Sequence, residues 1–415
     1  MWTGFLDRAM RPLIRVGRVT ADLPDGTRLV WGTPDTGPDV RLRIHDDATL
    51  RALALNPDLA LGEAYMDGRL TIGNDDLEGL LELAFRNNYA LHTNGLRRAV
   101  LGLRRALRWV WQYNPAARAR VNVAHHYDLS GALYDLFLDA DRQYSCAYFP
   151  KPGMSLDAAQ TAKKRHIARK LLIEPGMRVL DIGSGWGGLG LMLARDFGAD
   201  VTGVTLSTEQ HALSNRRARD AGLAGQARFE LRDYRDVTET FDRIVSVGMF
   251  EHVGVPHYRE YFRAIRERLA PGGVALVHTI GRSTPPACTN AWLAKYIFPG
   301  GYCPALSESS AAIEKEGLVI TDVEVWRLHY AETLRHWLTR FEANIDAARA
   351  LYDDRFCRMW RFYLLACEMS FRYGGQVVFQ FQLALDNASV PVSRDYLYPA
   401  QAEAQARPAR KRQPA

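Results

Sequence analysis

The chain has 415 residues, of which 47% are hydrophobic and 24% are charged, and its formal net charge is +6. This length predicts two or three domains with ordinary hydrophobic cores, and the lack of an 18-residue apolar run argues against a membrane-spanning helix. The five scattered cysteines contain no Cys-x-x-Cys pair and predict neither a disulfide framework nor a metal site. Because the first residues do not resemble a secretion leader, we expect a cytoplasmic protein.

Residues 1–112 are predicted to form a smaller α+β module. Alternating residues from Val16 to Trp31 predict strands around a turn at Pro24–Gly26, and Arg41–His45 predicts a further strand. Apolar spacing predicts three helices, at Ala48–Asn56, Leu61–Met66 and Asp75–Tyr89. No residue of this module carries obvious chemistry, so we expect it to contact lipid or a membrane rather than to catalyse.

Basic residues are concentrated in two segments. Leu96–Trp111 carries five arginines and no acidic residue, and its apolar residues recur at helical spacing. Such a helix is suited to an anionic membrane surface, although packing of the apolar stripe on the protein itself explains the pattern equally well. Nucleic acid is a weaker alternative because no base-reading motif accompanies the arginines. Residues 399–415 are predicted to be a disordered basic tail.

Residues 113–398 are predicted to form one larger α/β domain. Strands and helices alternate after Met177, which is typical of a parallel sheet with right-handed crossovers. The predicted sheet is Rossmann-like and mostly parallel, with seven strands at Arg178–Ile182, Asp200–Leu206, Ala227–Leu231, Phe241–Val247, Val274–Thr279, Val319–Arg327 and Gln376–Leu385. Two helical insertions, at Ala287–Gly317 and Glu332–Arg372, are predicted to form a lid over its ligand-binding edge.

A glycine-rich turn follows the first strand of this sheet. Gly183, Gly185 and Gly188 give the pattern G-x-G-x-x-G, which lets the backbone approach a ligand closely at a helix N-terminus. A dinucleotide site also needs an acidic residue at the end of the second strand. That strand ends without one, and the nearby acid is Asp181 within the first strand. The pattern therefore favours S-adenosylmethionine over a dinucleotide.

Reactive groups follow several other strands, and in an open α/β sheet these strand ends meet at one crevice. Glu251 follows the fourth strand, where a carboxylate in a dry pocket would orient a base or stabilise positive charge. The alternative is a helix-capping acid. His278 closes the fifth strand and is equally consistent with a buried structural histidine. We interpret Cys367 as structural or pocket-lining, since no partner histidine is near it in the sequence. The adjacent pair His125–His126 is predicted to be structural or to line a substrate channel.

With these residues in place, the chain resembles the cyclopropane-fatty-acid synthase family, which includes the mycolic acid cyclopropane synthases. The resemblance covers about residues 115 to 390, and the N-terminal module more loosely. It is carried by five long motifs, Val179–Gly188, Gly203–Gln210, Asp233–Asp236, Phe241–Gly254 and Lys295–Pro299. It implies a class I methyltransferase-type sheet and an enzyme that uses S-adenosylmethionine.

The resemblance also implies a reaction and a set of site residues. The alkene of a phospholipid acyl chain attacks the sulfonium methyl group, a carbocation forms, and bicarbonate removes a proton so that a cyclopropane ring closes. The implied bicarbonate ligands are Cys146, Glu251, His278, Tyr330 and, through its backbone, Ile280. The implied cofactor contacts are Tyr144, Ser145, Gly183, Gly185 and Gln210. To these we add Gly188 from the glycine turn, and we place Asp233 and Tyr234 near the adenine.

Several alternatives stay open at this point. The same cofactor and lipid would give a methyl- or methylene-branched product if the cation lost a different proton or gained hydride. An amine N-methyltransferase and a lipid-binding module without catalysis are further alternatives. A carbocation must be kept from water, and aromatic lid residues would provide such a pocket. We also expect peripheral association with an anionic membrane and a homodimer.

Overall fold

The computed structural model describes residues 2–91 and 131–398. The predicted basic helix at Leu96–Trp111, the pair His125–His126 and the tail 399–415 lie outside the described residues. Within those two ranges, no helix is both long enough and apolar enough to span a membrane.

The N-terminal module is built on a small mixed sheet. Its strands follow the order β2-β1-β3-β4 and are β1 (Arg18–Asp22), β2 (Arg28–Gly32), β3 (Asp39–Ile44) and β4 (Leu70–Ile72). Up to residue 91, where the description of this module ends, four α-helices accompany the sheet, namely α1 (Trp2–Met10), α2 (Asp47–Leu55), α3 (Pro57–Met66) and α4 (Leu77–Leu91). The predicted strands and helices are confirmed, whereas α1 and β4 were not predicted. Strand β4 has only three residues, too few for an alternating pattern to show.

The larger domain contains the predicted seven-stranded sheet. Its strands are β5 (Arg178–Ile182), β6 (Asp200–Thr205), β7 (Ala227–Leu231), β8 (Phe241–Val247), β9 (Leu269–Arg282), β10 (Val319–Trp326) and β11 (Gln376–Ala384). They follow the order β10-β11-β9-β8-β5-β6-β7, and only β11 runs antiparallel to its neighbours. The predicted fold class is therefore confirmed. Strand β9 is longer than the predicted Val274–Thr279, since it begins at Leu269 and continues to Arg282.

Helices cover the faces of this sheet, which explains why its central strands β5 and β8 are buried along almost their whole length. Those outside the lid are α5 (Gly131–Asp135), α6 (Leu156–Lys170), α7 (Gly188–Phe197), α8 (Thr208–Asp220) and α9 (Tyr258–Arg268). Two of them begin at serine caps that satisfy backbone N–H groups. Ser155 Oγ accepts from Ala158 N at 3.3 Å, and Ser207 Oγ accepts from Gln210 N at 3.3 Å. The second cap fixes the start of α8 beside the end of β6.

The two insertions form a lid over the carboxyl ends of the strands. Its helices are α10 (Ala291–Tyr296), α12 (His329–Ala343), α13 (Ile345–Leu351) and α14 (Asp354–Tyr373), whereas α11 (Leu306–Lys315) packs against α9 and β10 on a face of the sheet. The predicted helical insertion at Ala287–Gly317 contains two short helices rather than one continuous helix. Pro299, Gly300, Gly301 and Pro304 separate them, and proline and glycine disfavour a continuing helix.

Candidate active site

Two adjoining cavities lie where the strands of the larger sheet end. The first, which we call the strand-end cavity, has a volume of about 170 Å³ and is lined by residues that follow β5, β6, β7 and β8. The second, the lid cavity, has a volume of about 450 Å³ and is lined by β9, α10, α12, α14 and the N-terminal module. Four residues line both cavities, Tyr144, Ser145, Gly248 and His252. The cavities therefore meet at a shared boundary.

The glycine turn after β5 forms the floor of the strand-end cavity. Gly183 and Gly185 have φ values of 78° and 56°, a conformation that side-chain-bearing residues rarely adopt. The Gly183 and Ser184 amides donate to the Val204 carbonyl at 2.9 and 3.0 Å, which ties the turn to β6. Gly188 is not among the lining residues. A Cβ there would meet Asp141 Oδ2 at 2.4 Å, so its small size serves packing against the loop before α6.

The other predicted cofactor residues come together around the strand-end cavity, which is lined by Tyr144, Ser145, Gln210, Asp233 and Tyr234. The carboxylate of Asp233 accepts from Arg235 Nε at 2.9 Å and from Nη2 at 2.7 Å, so this acid is held in a fork. Gln210 Oε1 accepts from the Thr205 hydroxyl at 2.9 Å. These bonds fix both side chains before a ligand arrives.

Asp181 contributes a buried acid to the same cavity. It lies within β5 and is 2% exposed. Burial raises the pKa of its carboxyl to about 7, against the opposing charge of Lys163. In the described part of the chain, no group forms a hydrogen bond with Asp181 Oδ2. A buried acceptor without a partner is costly, so this oxygen suits a ligand that brings a donor or a positive charge.

Helix α6 supplies two residues that the sequence did not single out. Lys163 Nζ donates to Ser145 Oγ at 2.7 Å and to Gln143 Oε1 at 3.0 Å. Gln160 Nε2, one turn earlier, donates to the Ser145 carbonyl at 2.9 Å and the Gln143 carbonyl at 3.1 Å. Both side chains are buried, and burial lowers the pKa of Lys163 to about 8. Together they hold the loop that carries Tyr144 and Ser145.

The opposite side of this loop contacts the lid. The Tyr144 hydroxyl lies 2.8 Å from the Tyr363 hydroxyl of α14, and its ring stacks on Trp337 of α12 at a centroid distance of 5.1 Å. The Ala147 amide donates to Thr333 Oγ1 of α12 at 3.0 Å. The loop is therefore fixed between α6 and the lid, with residues facing both cavities.

The five residues predicted to bind bicarbonate all line the lid cavity, namely Cys146, Glu251, His278, Ile280 and Tyr330. Glu251 is 8% exposed, and its Oε1 accepts from the Ile280 amide at 2.6 Å. Ile280 lies beyond the end of β8, so the carboxylate takes an amide that the neighbouring strand leaves unpaired. The alternative prediction was that Glu251 caps a helix, but its Oε1 instead accepts from the amide of a neighbouring strand. The Ile280 amide itself serves to position the acid.

The second carboxylate oxygen of Glu251 has no hydrogen-bond partner within residues 2–91 and 131–398. Burial raises the pKa of Glu251 to about 7, although the Ile280 amide opposes this shift. A proton acceptor of this strength is suited to exchange a proton near neutral pH. Glu251 therefore presents one fixed oxygen and one available oxygen to the lid cavity.

His278 is held by the strand beside it. Gln380 of β11 lies directly opposite His278 in the β9–β11 ladder, and its Nε2 donates to His278 Nδ1 at 3.0 Å. A ring nitrogen that accepts at Nδ1 leaves the proton on Nε2, so a neutral His278 is a donor at that atom. Burial, with the nearby Lys163 and Lys170 charges, lowers the pKa of His278 well below its usual value. The ring is thus a neutral donor.

Tyr330 and Cys146 complete the set without acting as ions. Burial raises the pKa of both groups far above neutrality, so the phenol and the thiol stay protonated. Cys146 Sγ donates to the Ala147 carbonyl at 3.3 Å. A protonated, buried thiol is a poor nucleophile, so Cys146 is a wall residue. Tyr330 offers a hydroxyl donor, in addition to the ring N–H of His278, in the cavity that Glu251 also lines.

This arrangement can hold a small oxyanion in an apolar chamber next to a glycine-lined ligand cavity. Glu251 supplies an acceptor, while His278 and Tyr330 supply donors. The sequence analysis did not single out Gln160 and Lys163, although their spacing along α6 could have revealed them as buried polar residues. They share one helical stripe with Ile167 and Lys170, and polar residues on a buried stripe of an internal helix are unusual.

Comparison with known proteins gives consistent matches. The family model for mycolic acid cyclopropane synthetase matches residues 115–381, and a model for a domain of unknown function matches residues 7–95. Cyclopropane-fatty-acyl-phospholipid synthase of Escherichia coli is 37% identical over 80% of this chain and 84% of that protein. Tuberculostearic acid methyltransferase of Mycobacterium tuberculosis is 36% identical over 88% of this chain and 89% of that protein. The structure of mycolic acid cyclopropane synthase CmaA1 with SAH and CTAB covers 66% of this chain and 99% of its own, at 33% identity and a TM-score of 0.62.

Proposed function

The chain belongs to the mycolic acid cyclopropane synthetase family of S-adenosylmethionine-dependent methyltransferases, which act on lipid acyl chains, and from this premise we propose its reaction. It transfers a methyl group to a cis double bond of a phospholipid acyl chain and closes a cyclopropane ring, with bicarbonate as the base. The observation that carries this proposal is the shared boundary of the two cavities. A methyl donor on one side and an alkene on the other would meet at Tyr144, Ser145, Gly248 and His252.

The strand-end cavity fits S-adenosylmethionine. The cofactor supplies an electrophilic sulfonium methyl group when it is bound. Gly183 and Gly185 leave room for close backbone approach, and Asp181 Oδ2 is a buried acceptor suited to a positively charged ligand. Lys163 and Gln160 keep Ser145 in place, and Asp233 is fixed by Arg235. Related structures support the assignment, since CmaA1 was solved with SAH.

The lid cavity fits bicarbonate next to an acyl chain. Glu251 Oε2 would accept the hydrogen of its hydroxyl group, and the neutral His278 and Tyr330 would donate to its oxygens. The Ile280 amide keeps Glu251 oriented for that task. With a pKa of about 7, Glu251 is partly ionised at neutral pH, and a hydrogen bond from bound bicarbonate would favour the ionised form further. Positioned donors and acceptors of this kind stabilise charge as it moves.

Aromatic side chains keep this chamber dry. Trp292, Tyr363 and Phe371 line the lid cavity, and Trp337 packs behind Tyr330 with ring centroids 5.8 Å apart. An alkene attacks weakly and the resulting carbocation is captured by any accessible water, so exclusion of solvent is required. Aromatic faces also attract nearby positive charge. The CmaA1 structure was solved with CTAB, which supports a ligand with a long apolar chain for this family.

The reaction is tested with methyl-deuterated cofactor and unsaturated phospholipid vesicles. Ring closure removes one proton from the transferred methyl group, so mass spectrometry is expected to find two deuterium atoms on that carbon. Removal of bicarbonate by sparging with carbon-dioxide-free gas is expected to lower the rate, and added bicarbonate to restore it. Retention of three deuterium atoms contradicts ring formation, and a rate indifferent to bicarbonate contradicts the assigned base.

A methyl- or methylene-branched product is the second candidate. One similar protein is named tuberculostearic acid methyltransferase rather than cyclopropane synthase, which supports this alternative. The same deuterium count separates the methyl-branched product from the ring, and chromatography against standards identifies a methylene product. An amine N-methyltransferase is less favoured. The lid cavity is largely apolar, and Glu251 lies there with the donors His278 and Tyr330, a combination that suits an oxyanion better than an amine.

Membrane association and a homodimer are proposals that rest on the sequence. The arginines of Leu96–Trp111 and the need to reach a bilayer lipid support peripheral binding to an anionic surface. Sedimentation with vesicles of phosphatidylglycerol, compared with phosphatidylcholine at matched salt, is expected to show selective binding to the anionic lipid. Light scattering of the purified protein measures its oligomeric state.

A further inference from the structure

The N-terminal module forms one wall of the lid cavity. Two of its helices, α3 and α4, contribute lining residues, which are Pro57, Asp58, Leu61, Leu81, Ala84 and Phe85. The same cavity contains Glu251 and His278 on its opposite, strand side. The module matches a model of a domain without known function, and the family model begins only at residue 115. The wall is therefore separate from the segment that defines the family.

The module is firmly joined to lid helix α10. The Trp292 indole packs against Gly62, where an added Cβ would lie 2.4 Å from its Nε1. Trp292 Nε1 lies 3.2 Å from Met66 Sδ, and the indole is 1% exposed. Glu63 accepts from Lys295 Nζ at 2.6 Å and from the Tyr296 hydroxyl at 2.8 Å. Helix α3 and α10 thus pack with almost no gap.

The module is also joined to α14. Arg358 Nε donates to the Met66 carbonyl at 2.7 Å, and Arg355 Nε pairs with Asp67 at 2.8 Å. Buried residues of the module and the lid form one continuous hydrophobic core. Phe85 closes the cavity near the end of α14, since its ring would lie 3.2 Å from a Cβ on Gly374. A wall held by so many contacts has a defined shape.

We propose that the N-terminal module selects the acyl chain, with Leu61, Ala84 and Phe85 setting the length and shape that the lid cavity accepts. This inference rests on the proposed function of the cavity. A hydrophobic pocket with fixed walls discriminates between ligands that differ by a few methylene groups. Ala84 is the smallest of the three and leaves space that a longer chain occupies, whereas Phe85 limits that space at one end.

The test is a competition between chain lengths. Purified wild-type protein and variants are given vesicles containing equal amounts of hexadecenoyl, octadecenoyl and eicosenoyl phosphatidylglycerol, and products are counted by mass spectrometry. Ala84→Leu fills part of the cavity and is expected to lower modification of the longest chain roughly tenfold relative to the shortest. Phe85→Ala is expected to shift the ratio towards the longest chain. Ala52→Leu, the same exchange at an exposed position of α2, is the matched control.

Each outcome bears on the inference. Cofactor binding and unfolding midpoints close to wild type show that a variant has folded. Opposite shifts by Ala84→Leu and Phe85→Ala, with none for Ala52→Leu, support the inference. Wild-type ratios in both cavity variants, while the wild type modifies lipid, overturn it. Failure of the wild type to modify any of the lipids overturns the proposed function instead.

Discussion

The two cavities are built in different ways. The strand-end cavity is formed by turns at the ends of consecutive strands, so its residues come from a short part of the chain and many of its contacts are backbone contacts. The lid cavity is formed by side chains from the N-terminal module, β9, α10, α12 and α14, which are far apart in sequence. A ligand common to a whole class of enzymes suits the first construction. A ligand that differs between relatives suits the second, because its walls can change independently.

Glu251→Gln is expected to impair the lid cavity strongly while leaving the strand-end cavity unchanged, and its effect is the largest of those predicted. The exchange keeps the shape of the side chain but removes the ionisable acceptor of the lid cavity. Loss of general acid–base assistance is expected to lower kcat by roughly a thousandfold. Cofactor affinity, measured by calorimetry, is expected to stay at the wild-type value. Glu260→Gln, at an exposed position of α9, is the control. Full activity of Glu251→Gln would falsify the role assigned to the acid.

The raised pKa of Glu251 predicts a pH-dependent stability. The folded protein holds this proton up to about pH 7, whereas an unfolded glutamate releases it near pH 4. Between these values the folded state binds more protons, so the free energy of unfolding falls as the pH rises, by about 3 kcal/mol at most. Denaturant unfolding is measured without ligands at about pH 5 and about pH 8. The free energy of unfolding is expected to fall less between these values in Glu251→Gln than in the wild type. Burial raises the pKa of Asp181 in a similar way, so part of the fall in the free energy of unfolding is expected to remain in Glu251→Gln.

Lys163→Met is expected to impair the strand-end cavity while leaving the lid cavity unchanged. The exchange removes the donor that holds Ser145 and Gln143, each bond to a charged group being worth about 1.5–3 kcal/mol. KM for S-adenosylmethionine is expected to rise roughly tenfold or more. The chain-length ratio in the lipid competition is expected to stay unchanged. Lys151→Met, at an exposed position, is the control. Ser145→Ala removes one of the two partners and is expected to give a smaller rise in KM.

Gly62→Ala tests how firmly the module is joined to the lid. An added methyl group would overlap the Trp292 indole, and overpacking of this kind costs about 1–3 kcal/mol. Urea unfolding is expected to show that loss. Lys295→Met removes only a partly exposed ion pair with Glu63 and is expected to cost less than about 1 kcal/mol. Equal losses in the two variants contradict the tight α3–α10 contact.

Local sequence predicted the strand-end cavity well. The bounds of β5, β7 and β8 agree with prediction, because buried parallel strands bounded by glycine and polar turns give an unambiguous pattern. Motif resemblance then placed Glu251, His278 and Tyr330 in one chamber. Gly188 stays a prediction as a cofactor residue: it does not line the strand-end cavity, and the motif does not say which glycines serve the ligand and which serve packing.

The supporting residues were beyond prediction for a physical reason. Gln380 matters because the β9–β11 ladder places it opposite His278, and this register is a property of the folded sheet. The same holds for Gly62, whose partner Trp292 lies more than two hundred residues later. Contacts between distant segments leave no local periodicity. Lys163 was the exception, since its stripe on α6 carried a signal that went unused.

The position of β11 has a consequence for biosynthesis. Among the described residues this strand is the last in sequence, yet it lies between β9 and β10 inside the sheet. Strands β9 and β10 therefore acquire their shared neighbour only after helices α12 to α14 have been synthesised. Gln380, which sets the His278 proton, arrives with that strand. A nascent polypeptide thus contains the glycine turn after β5 well before it contains the residue that orients the His278 ring.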